Sequence, residues 1–268
     1  MIRGRVPVCA FFGAVVALAG SLCAPASAAL PERASHFTTA DGTIGFVLDL
    51  SGETPRQRFD SSPEILLLRP VAAARGDTIY RRSDGKIIIR STPYGALTLY
   101  LPDSPGGLPV LRDGTAPALL PRNRSAEEVS LLGPSFERHL ETDTRLAIHV
   151  ESPPPNQLTT QTALNTLGDA IENAHIAVDR VANAVGTAEI AATLTTIRFA
   201  IAGKRGVDFG AKTLTVRFVP NLQFAGRPTS YEIAEKLRGA IAQRKAAESG
   251  LSAESSNAQE QHSFDFRW

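Results

Sequence analysis

Cysteine, methionine and tryptophan are almost missing from this chain of 268 residues, which has two cysteines, one methionine and one tryptophan. Both cysteines, Cys9 and Cys23, fall within the first 28 residues. Once those residues are removed, the chain can form neither a disulfide nor a thiolate metal site, and it has no thiol nucleophile. The remaining length is still sufficient to bury a core without covalent cross-links.

An excess of one charge is also missing. The chain has 28 basic and 27 acidic side chains, and residues 1–28 contain two arginines and no acid. The other 240 residues therefore carry 26 basic and 27 acidic side chains, a net charge of −1. Nucleic-acid binders usually show a basic surplus, so we expect no nucleic-acid partner. Nor does this balance favour adhesion to an anionic membrane surface.

The common motifs of catalysis and cofactor binding are absent too. The sequence contains no Gly-x-Ser-x-Gly, no phosphate-binding loop, no His-Glu-x-x-His and no calcium loop. Each of these places reactive or ligating groups at a spacing that its chemistry requires. We therefore predict no catalytic, cofactor-binding or metal-binding residue and no cofactor.

Residues 1–28 have the three parts of a secretory signal peptide. Arg3 and Arg5 give a positive start, an apolar run covers residues 6–22, and Ala26-Ser27-Ala28 is a small-x-small cleavage site. We expect cleavage near Ala28 and a periplasmic or secreted mature protein that is not an integral membrane protein.

Two alternatives to cleavage stay open. The apolar run could anchor the chain, although it is at the short end for a transmembrane helix. Cys23 could be lipidated, but Leu22 stands where a small residue would be needed.

Residues 29–112 are predicted to form an antiparallel β module. Short apolar runs alternate here with turn residues, as in small sheets and open barrels. The strongest hairpin signal is Ser83-Asp84-Gly85, because Asp-Gly between two β-branched runs favours a tight turn.

Two motifs in this module carry a resemblance. They are Arg75-Gly76-Asp77-x-Ile79-Tyr80 and Leu97-Thr98-Leu99-Tyr100-x-Pro102. Together they resemble a family of exported proteobacterial proteins known only as a domain of unknown function, over about residues 43–112. The resemblance implies an exported, β-rich module without catalytic residues.

Residues 113–125 read as a linker, and residues 126–246 as an α/β sandwich domain. The main feature of this domain is a long helix at about residues 158–185 with one continuous apolar stripe that includes Ile171. Strands are predicted near residues 144–151, 194–202 and 213–219, followed by a second helix that begins at the capping box Thr229-x-x-Glu232. This order is that of a split βαβ unit, so the predicted fold class is α+β, an N-terminal antiparallel β module followed by a ferredoxin-like α/β sandwich.

The C-terminal end is predicted as a flexible tether, residues 247–262, and a strand-like tip, residues 263–268. Phe264, Phe266 and Trp268 alternate in the tip, which would place them on one face of a strand. The tip could complete the protein's own sheet, or these three aromatics could bind an envelope partner by adding to its sheet.

One helical spacing resembles a metal-ligand set. In Glu172-x-x-His175-x-x-x-Asp179 all three side chains fall on adjoining positions of one helix. Glu-x-x-His supplies ligands in di-iron bundles, but those bundles use two copies and the sequence has one. The sequence therefore favours a solvated, salt-bridged helix face here.

The leading functional hypothesis is a periplasmic, non-catalytic binding or structural protein. The alternative is a cofactor-free envelope hydrolase that uses serine, histidine and acidic side chains. Its candidate residues are Ser135, Glu137, His139, Asp143 and His149. The two hypotheses differ in whether a histidine meets a serine or carboxylate within a concave pocket.

Overall fold

The computed structural model describes residues 34–264. The first part of the fold is an antiparallel sheet of nine strands in the order β4-β3-β2-β1-β9-β8-β7-β6-β5. Its strands are β1 (Ala34–Thr39), β2 (Gly45–Asp49), β3 (Arg56–Phe59), β4 (Leu66–Leu67), β5 (Arg69–Ala72), β6 (Thr78–Arg81), β7 (Ile87–Ser91), β8 (Leu97–Leu101) and β9 (Ser104–Thr115). The two edge strands, β4 and β5, are separated by Leu68 alone, so the sheet curls into a nearly closed, barrel-like form.

Turn chemistry and an apolar interior hold this sheet together. The predicted turn at Ser83-Asp84-Gly85 joins β6 to β7, and Gly85 has a φ of 81°, which a side chain would oppose. Phe46, Ile89 and Leu99 are fully buried inside the sheet. The hairpin prediction is therefore confirmed.

The second part of the fold combines helices with a smaller sheet. Its elements are α1 (Ala126–Thr142), β10 (His149–Glu151), α2 (Gln161–Val185), α3 (Thr187–Thr193), β11 (Thr196–Ile201), β12 (Gly206–Gly210), β13 (Thr213–Phe218) and α4 (Ser230–Phe264). Short 3-10 helices lie at Ala74–Gly76, Pro155–Gln157 and Pro220–Gly226. The four strands are ordered β10-β11-β13-β12, with parallel pairing except between β12 and β13.

The predicted fold class, an antiparallel β module followed by a ferredoxin-like sandwich, is wrong. The large sheet has nine strands in a nearly closed form, and the second sheet is mostly parallel rather than antiparallel. The parallel pairing arises because α2 and α3 form a crossover that returns the chain beside β10 in the same direction. Apolar periodicity indicated several strands correctly but says nothing about which strands pair.

Two local features also differ from the expectation. The strand expected at residues 144–151 is limited to β10; before it, Arg145 has a left-handed φ of 56° and the Leu146 N–H donates to the Leu140 carbonyl of α1. Between the strands predicted near residues 194–202 and 213–219, where the sequence predicts no strand, the structure contains β12, which lies at an edge of the second sheet.

The core of the second part lies between the helices and the smaller sheet. The apolar stripe of α2 is buried there as predicted, with Ile171 only 1% exposed. Residues of α1, α4 and the strands complete the same core, among them Phe136, Ile197 and Leu237. Among the helices between residues 34 and 264, none has the length and apolarity that a membrane span requires.

The two parts join through polar contacts, and both belong to one compact unit. Glu64, from the β3–β4 loop, accepts a hydrogen bond from the Ser230 backbone N–H at 2.8 Å, at the start of α4. Tyr231 lies between the guanidinium groups of Arg82 and Arg180, 3.5 and 3.8 Å from its ring centroid.

The predicted division into residues 29–112, 113–125 and 126–246 stays a prediction. Residues 113–115 continue β9, and Leu119 in the middle of the predicted linker is buried. Its backbone N–H donates to Asp49 at 2.7 Å, which ties this segment to the large sheet.

Candidate metal centre

Two packed helices bring His139, His175 and Asp179 together. Helix α1 begins at a capping box in which the Ser125 hydroxyl accepts from the backbone N–H of Glu128, and the Glu128 carboxylate accepts from that of Ser125. Its buried residues, including Phe136 and Leu140, pack in the core shared with α2. His139 is three residues after Phe136, so it reaches the rim of this helix contact.

The three side chains form a compact ligand set. His139 Nε2 lies 3.1 Å from Asp179 Oδ1, and His175 Nε2 lies 3.4 Å from Asp179 Oδ2. The two imidazole rings are 4.1 Å apart at their centroids. One ligand atom from each residue lies within 4.8 Å of the others, which is close enough for all three to reach one metal ion after small side-chain movements.

Neighbouring groups fix the orientation of both imidazoles. Asp143, the C-cap residue of α1, lies 2.7 Å from His139 Nδ1, which leaves Nε2 directed toward Asp179. Metal-binding histidines usually donate their second ring nitrogen to a carboxylate in this way. The Phe136 ring stacks on His175 at a centroid distance of 4.9 Å and covers one of its faces.

The two histidines have opposite pKa shifts. Burial lowers the pKa of His175, and the Asp179 carboxylate offsets that effect only in part. Burial also acts to lower the pKa of His139, but its hydrogen bonds to Asp179 and Asp143 outweigh burial and raise it. The neutral form, in which imidazole binds a metal, is thus favoured at His175, whereas at His139 the protonated form is favoured and a metal ion would have to displace a proton.

The donor set fits a transition metal with an open coordination position. Two imidazoles and one carboxylate are three protein ligands of types that Zn²⁺ accepts, and its usual four-coordinate geometry would leave one position for water. The side chains are 26% (His139), 36% (His175) and 38% (Asp179) exposed, so solvent can reach the centre.

Glu172, the first residue of the spacing Glu172-x-x-His175-x-x-x-Asp179, takes no part in this centre. Its carboxylate accepts a hydrogen bond from Arg124 at 2.6 Å and lies 3.7 Å from Arg122. The salt-bridged helix face that the sequence favours is present in the contacts of Glu172 with Arg124 and Arg122. What the sequence missed is His139, which comes from the other helix.

The residues of the hydrolase alternative form two separate histidine–carboxylate pairs. Glu137 contacts His149 at 3.3 Å, and that histidine is 63% exposed. Asp143 contacts His139 at 2.7 Å. Among residues 34–249, no hydrogen bond joins Ser135 to a histidine.

Most of the predicted aromatic tip lies outside the described residues. Phe264 is the last residue of α4, while Phe266 and Trp268 lie outside the described residues. The predicted tether, residues 247–262, falls within α4. Partner binding by these aromatics stays a prediction.

A broad groove of about 840 Å³ runs between α4 and the β12 edge. Lys204, Arg205 and Lys236 contribute positive charge, and Arg205 is paired with Glu232 at 2.9 Å. No histidine lines this groove, so it is separate from the candidate metal centre.

Comparison with known proteins gives a family. The chain belongs to a family described as Domain of unknown function (DUF4908), whose model matches residues 18–237. The match confirms the resemblance to a domain of unknown function and extends it well beyond residues 43–112. No curated protein and no solved structure matches the chain.

Proposed function

We propose that this protein is an exported, non-catalytic binding protein of the cell envelope and that its ligand is a divalent transition-metal ion of the Zn²⁺ class. The observation that carries the metal assignment is the convergence of His139, His175 and Asp179 at the contact of α1 and α2. The export assignment rests on the signal-peptide features of residues 1–28, which lie outside the described residues.

The ligand types favour a borderline metal over a hard one. Calcium and magnesium prefer sets made entirely of oxygen ligands, whereas imidazole suits zinc, copper, iron and nickel. With Asp143 holding His139, the orienting carboxylate that such sites commonly use is already in place.

Binding is better supported than hydrolysis. Both carboxylates that contact His139, Asp143 and Asp179, serve to orient or ligate, and the centre lies outside the large groove. No contact supports a serine nucleophile among the residues that the structure describes.

Isothermal titration of the metal-free mature protein with Zn²⁺ tests this proposal. We expect one bound ion per chain, and an affinity loss of about 100-fold or more for His139→Ala and for His175→Ala, because each removes one of three ligands. Asp143→Asn should weaken binding by about 10–100-fold, as is usual for an orienting partner.

The matched control is His149→Ala, which removes an exposed histidine outside the cluster. Its affinity should equal that of the wild type. Absence of Zn²⁺ binding in the wild type, or equal losses for His139→Ala and His149→Ala, would overturn the metal assignment.

The proposal includes an envelope protein partner for the aromatic tip. Alternating aromatics can bind by adding a strand to a partner's sheet. A partner captured by the full mature chain, and lost when residues 262–268 are deleted at unchanged melting temperature, would support it. Identical captured proteins for both chains would contradict it.

A further inference from the structure

A second pocket, of about 170 Å³, lies where the large sheet meets α2 and the segment before α4. Four arginines contribute to its wall: Arg58 from β3, Arg122 and Arg124 from the segment before α1, and Arg227 from the segment before α4. Four guanidinium groups therefore line one small pocket of a chain whose overall charge is nearly balanced.

Arg124 is buried in this wall with hydrogen-bonding capacity left over. Its side chain is 2% exposed, and Nη2 donates to Glu172 at 2.6 Å and to Asp169 at 3.2 Å. Nε and Nη1 are buried without a hydrogen-bond partner. Nε lies against Gly168 of α2, where a Cβ would come within 2.6 Å of it. Nη1 is therefore the donor for which a ligand would provide an acceptor.

The acidic residues of the wall are already engaged by the protein. Asp169 accepts from both Arg124 and Arg227, the latter through Nε at 3.3 Å. Glu64 accepts from Ser230, as described above. Arg58, by contrast, has no ion pair within the described part of the chain. In total the wall contains four guanidinium groups and three carboxylates.

We propose that this pocket binds a phosphate group, either as inorganic phosphate or as the terminal phosphate of a larger molecule. Arginine forks match the oxygen geometry of phosphate and form charge-assisted hydrogen bonds with it. Arg58 and the free donor of Arg124 would bind the group inside. Arg122, which is 62% exposed, would contact the part of the ligand that remains at the pocket entrance. This site is separate from the metal centre and does not depend on it.

Isothermal titration of the metal-free mature protein at low salt, in a buffer without phosphate, tests the proposal with inorganic phosphate as the probe. Arg58→Gln is the informative variant, since Arg58 has no described ion pair whose loss would unfold the protein. We expect phosphate affinity to fall at least about tenfold in Arg58→Gln and in Arg122→Gln. Arg112→Gln, which removes an exposed arginine of β9 outside the pocket, should bind like the wild type.

Two further ligands, glycerol 3-phosphate and acetate, are compared with inorganic phosphate. Glycerol 3-phosphate that binds more tightly than inorganic phosphate would assign the pocket to the terminal phosphate of a larger molecule, and the reverse order would assign it to the free ion. Absence of phosphate binding, equal affinity of Arg58→Gln and Arg112→Gln, or tighter binding of acetate than of phosphate would overturn the proposal.

Discussion

Ile171 tests the packing of α2 at the scale of a single residue. Its side chain is almost fully buried in the core formed by the helices and the smaller sheet. Ile171→Ala should lower the free energy of unfolding by about 2–5 kcal/mol, because it removes buried methyl groups and leaves a cavity. Chemical denaturation measures this loss. Leu131→Ala, at an exposed position of α1, is the control and should change stability by less than about 0.5 kcal/mol.

Gly168 is required for the placement of Arg124. A Cβ at this position would lie 2.4 Å from Arg124 Cδ, and the buried guanidinium cannot move without leaving Asp169 and Glu172. Gly168→Ala should therefore destabilise the protein by about 1–3 kcal/mol through overpacking.

The matched control is Gly239→Ala, also in a helix interior. No atom lies within 4 Å of the position of its Cβ, so the better helix propensity of alanine should stabilise the protein by about 0.5–1 kcal/mol. Thermal denaturation of both variants compares them directly. A similar gain for Gly168→Ala would show that Arg124 is not held as described.

Asp49 gives a prediction of pH dependence. Burial acts to raise its pKa, but hydrogen bonds from Ser51 and from the Leu119 N–H outweigh burial and lower it. A carboxylate with a lowered pKa contributes stability above its unfolded-state pKa of about 4, and that contribution is lost as the pH falls through the folded-state value.

Asp49→Asn should therefore be less stable than the wild type at pH 7, and the difference should shrink below about pH 4. Urea denaturation at several pH values measures it. Glu53→Gln, an exposed carboxylate on the same sheet's periphery, should show no such difference. A gap for Asp49→Asn that stays constant down to pH 2 would contradict the assignment.

At the scale of elements, the start of α1 can be tested through its cap. The Ser125 hydroxyl accepts from the Glu128 N–H at 3.0 Å. Ser125→Ala should cost about 0.5–2 kcal/mol, because an N–H of the first turn loses its acceptor. Ser130→Ala, inside the same helix and exposed, should stay within about 0.5 kcal/mol of the wild type when both are measured by thermal denaturation. Equal effects would mean that the cap does not stabilise α1.

Local signals predicted several elements of the fold correctly. The Asp84-Gly85 turn, the apolar stripe of α2 and the cap at Thr229 all depend on residues close in sequence, and the structure contains each of them. Strand β12 was missed because glycines form both of its ends and only three residues lie between them. Strand pairing could not be predicted, since it is decided by contacts between distant segments.

In the candidate metal centre, too, the local part was predictable from the sequence and the contact between distant segments was not. The spacing of His175 and Asp179 on one helix was visible in the sequence. The approach of His139 was not, because it depends on how α1 packs against α2. The one signal for His139 is its position three residues after Phe136, which places both on one side of a helix. That signal requires α1 to extend as far as residue 139.

At the scale of the whole molecule, the family match covers both sheets and both proposed sites, from residue 18 to residue 237. The junction of the sheets, through Glu64, Arg227 and Tyr231, lies within the same range. The family is thus defined by the combination of the two parts rather than by the large sheet alone.

The proposed export predicts where the mature chain begins. The small-x-small site at Ala26-Ser27-Ala28 should be cleaved, so the mature protein should begin at Ala29, within about two residues. Intact-mass measurement of protein released by periplasmic extraction checks this. A full-length or lipidated mass would contradict cleavage at this site.

The most direct test of the metal assignment is anomalous diffraction at the zinc absorption edge, from crystals of the mature protein grown with Zn²⁺. We expect one strong peak about 2.0–2.2 Å from His139 Nε2, from a His175 ring nitrogen and from an Asp179 carboxylate oxygen. Crystals of His139→Ala should lack this peak. A wild-type map without a peak at these three side chains would contradict the proposed function.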